Sequence, residues 1–429
     1  MTRASRVATV AATWAMLACV AFGTFGTVGV RAAEPVFGEP EITSSFEAGV
    51  SIVQPVTLTE EPSRVEVLVT YANAPGPEVV PVEIPAQGAT DMRYALAPVE
   101  GHISPNTPIA MQWRITSPAP ALEVVLGPLA TTIYADDRFD WQTAADDLVR
   151  VHWYEGDRSF GERALGIATT AVVETSELLG VEEDAPIDFF VYADREAFYD
   201  ALGPGTRENV GGQANAEIRT LFAHIPPSQL DDPWVETVIP HEMVHLVFDT
   251  AVQNPYHFPP RWLNEGLATY LSEGYDAGKR GVVEEAVSDG SIIPLAGLVG
   301  QFPTAGARFL LAYAESVSAV DYLIRTYGQE SLVSLITSYA DGRSDDEAFE
   351  AAIGIDVTAF DAAWLADLGA EPPVRHGPQD APPGPVLGAP SEPVDESVDL
   401  VPVAAAGLVG VLAVGLAGAW FVARRRSTT

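Results

Sequence analysis

The stretch IPHEMVHLVF, Ile239 to Phe248, decides how the chain is read. His241 and His245 stand four residues apart, and a glutamate, Glu242, follows the first. On a helix, positions i and i+4 share one face about a turn apart, so both imidazoles can reach one tetrahedral metal ion. Glu242 is then placed beside that ion. There a carboxylate can take a proton from a water whose pKa the metal lowers and relay it to a leaving amine. So short a pattern also arises by chance, and its surroundings have to decide.

A catalytic zinc takes three protein ligands and keeps one position open for water. Cys19 is the only cysteine, and it falls in the apolar N-terminal run. The ligand set must therefore come from histidine and carboxylate. Downstream, PPRWLNEGLATYL, Pro259 to Leu271, begins a second helix with Glu265 early in it. His257 lies in the Pro-rich run NPYHFPPR, which suits a connection between helices better than ligation. Glu265 is the natural third ligand, and one zinc per chain is expected.

At these residues the sequence resembles the gluzincins, and specifically the bacterial peptidase MA-like domains, relatives of aminopeptidase N-like and thermolysin-like enzymes. The resemblance runs from about Val151 to Ala370 and rests on HEMVH followed by RWLNEGLATY. It implies an α+β catalytic domain of a small sheet plus helices. It also implies that His241, His245 and Glu265 bind zinc, that Glu242 is the general base, and that the substrate is a peptide or protein. Enzymes of the aminopeptidase type use a tyrosine from a later helix to hold the oxyanion. Here the resemblance points to Tyr313, in FLLAYAES, at a place where such domains carry Ala-Tyr before a helix. Tyr270 lies on the same helix as Glu265 and is expected to pack.

Two features depart from the pattern. Pro240 immediately precedes His241, so the helix is expected to kink or begin there. Aminopeptidase N-like enzymes bind the substrate amine with a Gly-x-Met-Glu-Asn strand, whereas this chain reads GGQANAEI, Gly211 to Ile218, with the glutamate displaced to Glu217. That weakens an aminopeptidase reading. A strand at this place can still pair with an extended peptide, and Glu217 is expected to be a solvated acid.

Outward from the motifs, the 429 residues divide into segments. Residues 34–130 carry short β-branched and aromatic runs, RVEVLVTYA, MRYALAPV, PIAMQWRIT and ALEVVLG, broken by Pro, Gly and Asn. They predict an all-β sandwich-like domain, with His102 in a surface loop. Residues 131–370 predict the α+β domain. Its helices are FGERALGIATTAVVETSELLGV, REAFYDAL, Asp232 to about Val252, Arg261 to Ser272 and three later segments. IDFFVYAD is read as a buried strand.

Residues 371–399 are Pro-rich and acidic, an extended linker in which His376 is inert. Residues 400–423 are uncharged and long enough to cross a bilayer, and Arg424, Arg425 and Arg426 follow. Residues 1–33 have Arg3 and Arg6, an apolar run and a small-residue end at Ala32 and Ala33, the pattern of a secretory signal. Together these predict a single-pass protein with its N-terminal part outside the cell and residues 424–429 in the cytoplasm. The net charge of -36 argues against nucleic-acid binding. An alternative of another class is a catalytically silent surface module that uses the metallopeptidase fold as a scaffold.

Overall fold

The computed structural model describes residues 34–72, 74–97, 102–204, 211–254, 258–303 and 306–372. The expected signal at 1–33 with Cys19, His257, His376, nearly all of the linker 371–399, the expected span 400–423 and the tail 424–429 lie outside them. Among the described residues, no helix is long and apolar enough to cross a membrane.

The N-terminal lobe holds β1 (Val36–Phe37), β2 (Glu41–Ser45), β3 (Gly49–Leu58), β4 (Arg64–Tyr71), β5 (Glu78–Pro81), β6 (Gly88–Leu96), β7 (Thr107–Thr116) and β8 (Val124–Tyr134). In one sheet, β3 pairs with β1, β2 and β6; the other runs β5-β4-β7-β8. Alternation along the strands turns Val50 and Ile52 of β3, Val65, Val67 and Val69 of β4, and Ile109, Met111 and Trp113 of β7 into one shared core. The strand β3 was not foreseen, because Pro55 in mid-run argues against a strand. The proline is tolerated since β2 pairs only as far as Val53 and β1 only from Val56, so Pro55 sits where that edge has no strand partner.

The expected boundary at 130/131 falls inside β8, which stays paired with β7 as far as Tyr134. The sandwich therefore extends to Tyr134, and the next sheet opens with β9 (Gln142–Ala145). It continues with β10 (Val149–Trp153), β11 (Ile187–Tyr192), β12 (Gly212–Asn215) and β13 (Thr220–His224), in the order β12-β13-β11-β10-β9. The three central strands are parallel, and β12 is an antiparallel edge. Its inner residues Val149, Val151, Phe189, Val191, Leu221 and Ala223 join one core with the helices.

Those helices are α1 (Arg158–Leu179), α2 (Arg195–Leu202), α3 (Val235–Val252), α4 (Arg261–Ser272), α5 (Ala277–Asp289), α6 (Gly306–Tyr327), α7 (Gln329–Ala340), α8 (Asp345–Ile353) and α9 (Val357–Asp367). The whole is α+β, as expected. Asp157, Asp194, Asp276, Ser344 and Asp356 cap their helices by accepting backbone N–H bonds, which satisfies donors the first turn leaves open. The lobes meet through polar contacts. Asn106 donates to Asp188 and to Thr220, each at 2.9 Å. His102, in an exposed loop as expected, also meets the Ala201 carbonyl at 3.0 Å.

Helix α3 does not begin at Pro240. It starts five residues earlier and runs through the proline. Losing one hydrogen bond is outweighed because Val235 and Ile239, ahead of and beside the proline, are both fully buried.

Candidate metal centre

Two helices bring the motif residues together. His241 and His245 project from α3, with ring centroids 4.9 Å apart and planes at 86°. Glu265 projects from the first turns of α4, only 7% exposed. Its Oε2 lies 3.4 Å from His241 Nε2 and 3.6 Å from His245 Nε2. Tetrahedral ligands at ordinary zinc bond lengths stand roughly 3.3 Å from one another. The donor set, two neutral-capable imidazoles and one carboxylate within 4.8 Å, fits a zinc ion.

Neighbours hold the donors in place. Asn264 Oδ1 sits 2.7 Å from His245 Nδ1, so that nitrogen donates and Nε2 is left as the ligating atom. Arg261, one turn before Glu265, donates from Nη2 to Glu265 Oε1 at 2.7 Å and leaves Oε2 facing the histidines. Burial would raise the Glu265 carboxyl, but the two imidazoles outweigh it and hold that carboxyl well below the usual range. His245 shows the reverse side of the same pairing. Burial would lower it, but Glu265 first and Glu242 next push it up to about 9. Any divalent cation entering here would take over the charge that this proton supplies.

Glu242 stands beside the three donors. Its Oε2 accepts the Ala214 N–H of β12 at 2.9 Å. That N–H points off the free edge of the strand, because β13 occupies the other edge. Strand and helix are close enough that a Cβ on Gly212 would lie 3.1 Å from Glu242 Cγ.

Tyr313 lies within α6 rather than ahead of it, since that helix already begins at Gly306. Its ring is 6.4 Å from that of His241. Burial, reinforced by the charge of Glu265, raises its phenol, so it keeps its proton and can donate. Tyr270 is partly buried against the core, as expected. Glu217 is exposed, in a short turn between β12 and β13.

The three donors, Glu242, Arg261, Asn264 and Tyr313 line one open cleft of about 920 Å³, whereas Tyr270 and Glu217 do not. It is lined by residues of β12, α3 and α4, by Val299 to Gln301, and by Phe309 and Tyr313 of α6. Reasoning from sequence missed Arg261, Asn264 and Asp249 of this lining. Arg261 and Asp249 carried a usable signal, each standing four residues from a motif residue. The Glu242 contact with Ala214 carried none.

Residues 167–370 match the Peptidase MA superfamily. No curated protein matches the chain. Among solved structures, the M1 zinc metallopeptidase from Deinococcus radiodurans is similar at a TM-score of 0.36 and 15% identity, over 80% of this chain and 95% of that one. An aminopeptidase N family protein from Idiomarina loihiensis is similar at a TM-score of 0.38 and 9% identity, over 77% of each chain.

Proposed function

We propose, from the Peptidase MA superfamily domain at residues 167–370, that the chain is a zinc-dependent peptidase displayed outside the cell on a membrane anchor. One observation carries this reading: Glu265 converges on both histidines at 3.4 and 3.6 Å while Glu242 stands beside them at the free edge of β12. His241, His245 and Glu265 would hold one zinc ion. A zinc ion held there would supply Lewis-acid activation of water and of the peptide carbonyl.

Glu242 accepts the proton of the attacking water and delivers it to the leaving amine. The Ala214 N–H keeps that carboxylate turned into the cleft. The Tyr313 O–H donates a hydrogen bond to the charge that develops on the carbonyl oxygen. The free edge of β12 gives an extended substrate main-chain partners. The glutamate that binds the amine in the Gly-x-Met-Glu-Asn pattern has no counterpart in GGQAN, so the cleft is not built around that means of holding a free N-terminus.

The location follows from segments outside the described residues. A signal at 1–33 exports the chain, residues 400–423 span the bilayer, and Arg424 to Arg426 stay on the cytoplasmic side. The acidic linker then spaces the enzyme from a membrane surface.

The test is metal content and hydrolysis together. The chain should hold about one zinc, the number a single three-ligand site takes. Glu242→Gln should keep the metal and lose hydrolysis of a peptide library. Hydrolysis that survives the substitution refutes the mechanism.

A further inference from the structure

The chemistry above uses Glu242 and Glu265 and leaves one acid of the cleft without a role. Asp249 follows His245 by four residues on α3, on the face that carries both histidines, and it lines the cleft with Ala216, Phe258 and Asn264. It is partly buried. Among the described residues, no donor or cation is bonded to its carboxylate.

The guanidinium that acts on Asp249 is committed elsewhere. Arg219 donates to Glu183 and to the Ala185 carbonyl from Nη2, and to Thr250 Oγ1 from Nη1. Thr250 in turn donates to Glu183 at 3.1 Å. Glu183 thus takes the charge of Arg219 in a direct pair. Burial first, and then the charges of Glu183 and Glu217 against the opposing Arg219, hold the Asp249 carboxyl above its ordinary value. A carboxylate in this condition, facing a peptide cleft, gains most from a cation that the substrate brings.

We propose that Asp249 is a specificity residue of the cleft and takes a cationic nitrogen of the peptide substrate close to the bond that is cut. This rests on the peptidase reading above and adds a substrate class to it. One helical turn advances about 5.4 Å and an extended peptide about 3.3 Å per residue, which puts the cation within about two residues of that bond. The nitrogen is either a lysine or arginine side chain or the free α-amine. Both are recognised by the same carboxylate.

The test uses the full-length, zinc-loaded chain and matched peptides. Each carries lysine, norleucine or glutamate at one position within two residues of the cut, with the N-terminus free or acetylated. A charge-assisted hydrogen bond at a partly buried acid predicts a preference of about tenfold in kcat/KM. It appears as a lysine-over-norleucine ratio at one position if the side chain is the cation, and as a free-over-acetylated ratio if the α-amine is. Asp249→Asn should bring that ratio to within about twofold of unity, and Asp249→Lys should turn it in favour of glutamate peptides.

Wild-type ratios near unity at every position and at both termini overturn the proposal. So does a preference that Asp249→Asn leaves intact. If the wild type cuts no peptide, the peptidase reading falls. The same ratios, read as Kd by fluorescence anisotropy on Glu242→Gln protein, then decide for or against Asp249 on their own.

Discussion

Gly266 follows Glu265 directly, and its missing side chain sets how closely α4 approaches α6. A Cβ at this position would stand 2.5 Å from the Ser316 carbonyl oxygen, 2.8 Å from its carbon and 2.9 Å from Val320 Cγ2. Ordinary contact begins near 3.4 Å, so Gly266→Ala asks the two helices to part by about 0.9 Å. The obstructing atoms are mostly helix backbone and cannot rotate aside. The segment of α6 involved is buried from Ala314 through Leu323.

Overpacking of this kind costs up to about 3 kcal/mol. Alanine in a helix interior recovers about 1 kcal/mol relative to glycine. The net loss of about 2 kcal/mol corresponds to a fall in Tm of roughly 4–8 °C for a domain of this size. Because Glu265 rides on α4 and Tyr313 on α6, the same shift should loosen the metal site. Thermal unfolding by circular dichroism, with and without zinc, and zinc competition against a chelator measure both effects. A variant with Tm equal to or above wild type would refute the packing argument, for that is what helix propensity alone delivers.

Two further expectations follow from the surroundings of the site. Asn264→Ala removes the partner of His245 Nδ1; zinc affinity should drop by about 10- to 100-fold, the usual effect of losing such a support, and equal affinity in the chelator assay would show that the asparagine does not orient the ring. Glu315 is fully buried, accepts the Ile293 N–H at 2.9 Å, and is pushed up from 4.5 to about 8 by burial. A carboxyl raised in the folded state favours folding fully below its unfolded pKa and loses that contribution as pH rises through the folded value. Stability should therefore decline between about pH 4.5 and 8, and Glu315→Gln should flatten the decline by roughly 2 kcal/mol or more, at about 1.4 kcal/mol per pKa unit. Parallel melting curves of the two proteins across that range would count against it.

The parts legible in sequence are those whose physics is local. The spacing of His241 and His245 is a property of any helix, and Glu265 was marked by the absence of other ligand types as much as by its motif. Helix α4 appeared with the bounds expected, Arg261 to Ser272, since its apolar period is unbroken. Helices α5 and α8 went unseen: each buries few residues, Val283 and Ala286 in one and Ala348 and Phe349 in the other, so neither carries a strong apolar face. The end of the sandwich was misplaced because β8 keeps its pairing with β7 past the point where composition changes.

By itself, then, the sequence determined the chemistry on offer: two imidazoles and a carboxylate for a metal, a neighbouring glutamate for a proton, and a strongly acidic chain. Only the tertiary structure decided how that chemistry is held and aimed. The contact of Glu242 with Ala214, the close seating of α4 on α6 at Gly266 and Ser316, and the exposure of Asp249 to the cleft while Glu183 takes Arg219 all join residues far apart along the chain. Hydrogen bonds and close packing act over a few ångströms, and which residues come that near is settled when the helices and the edge strand pack together.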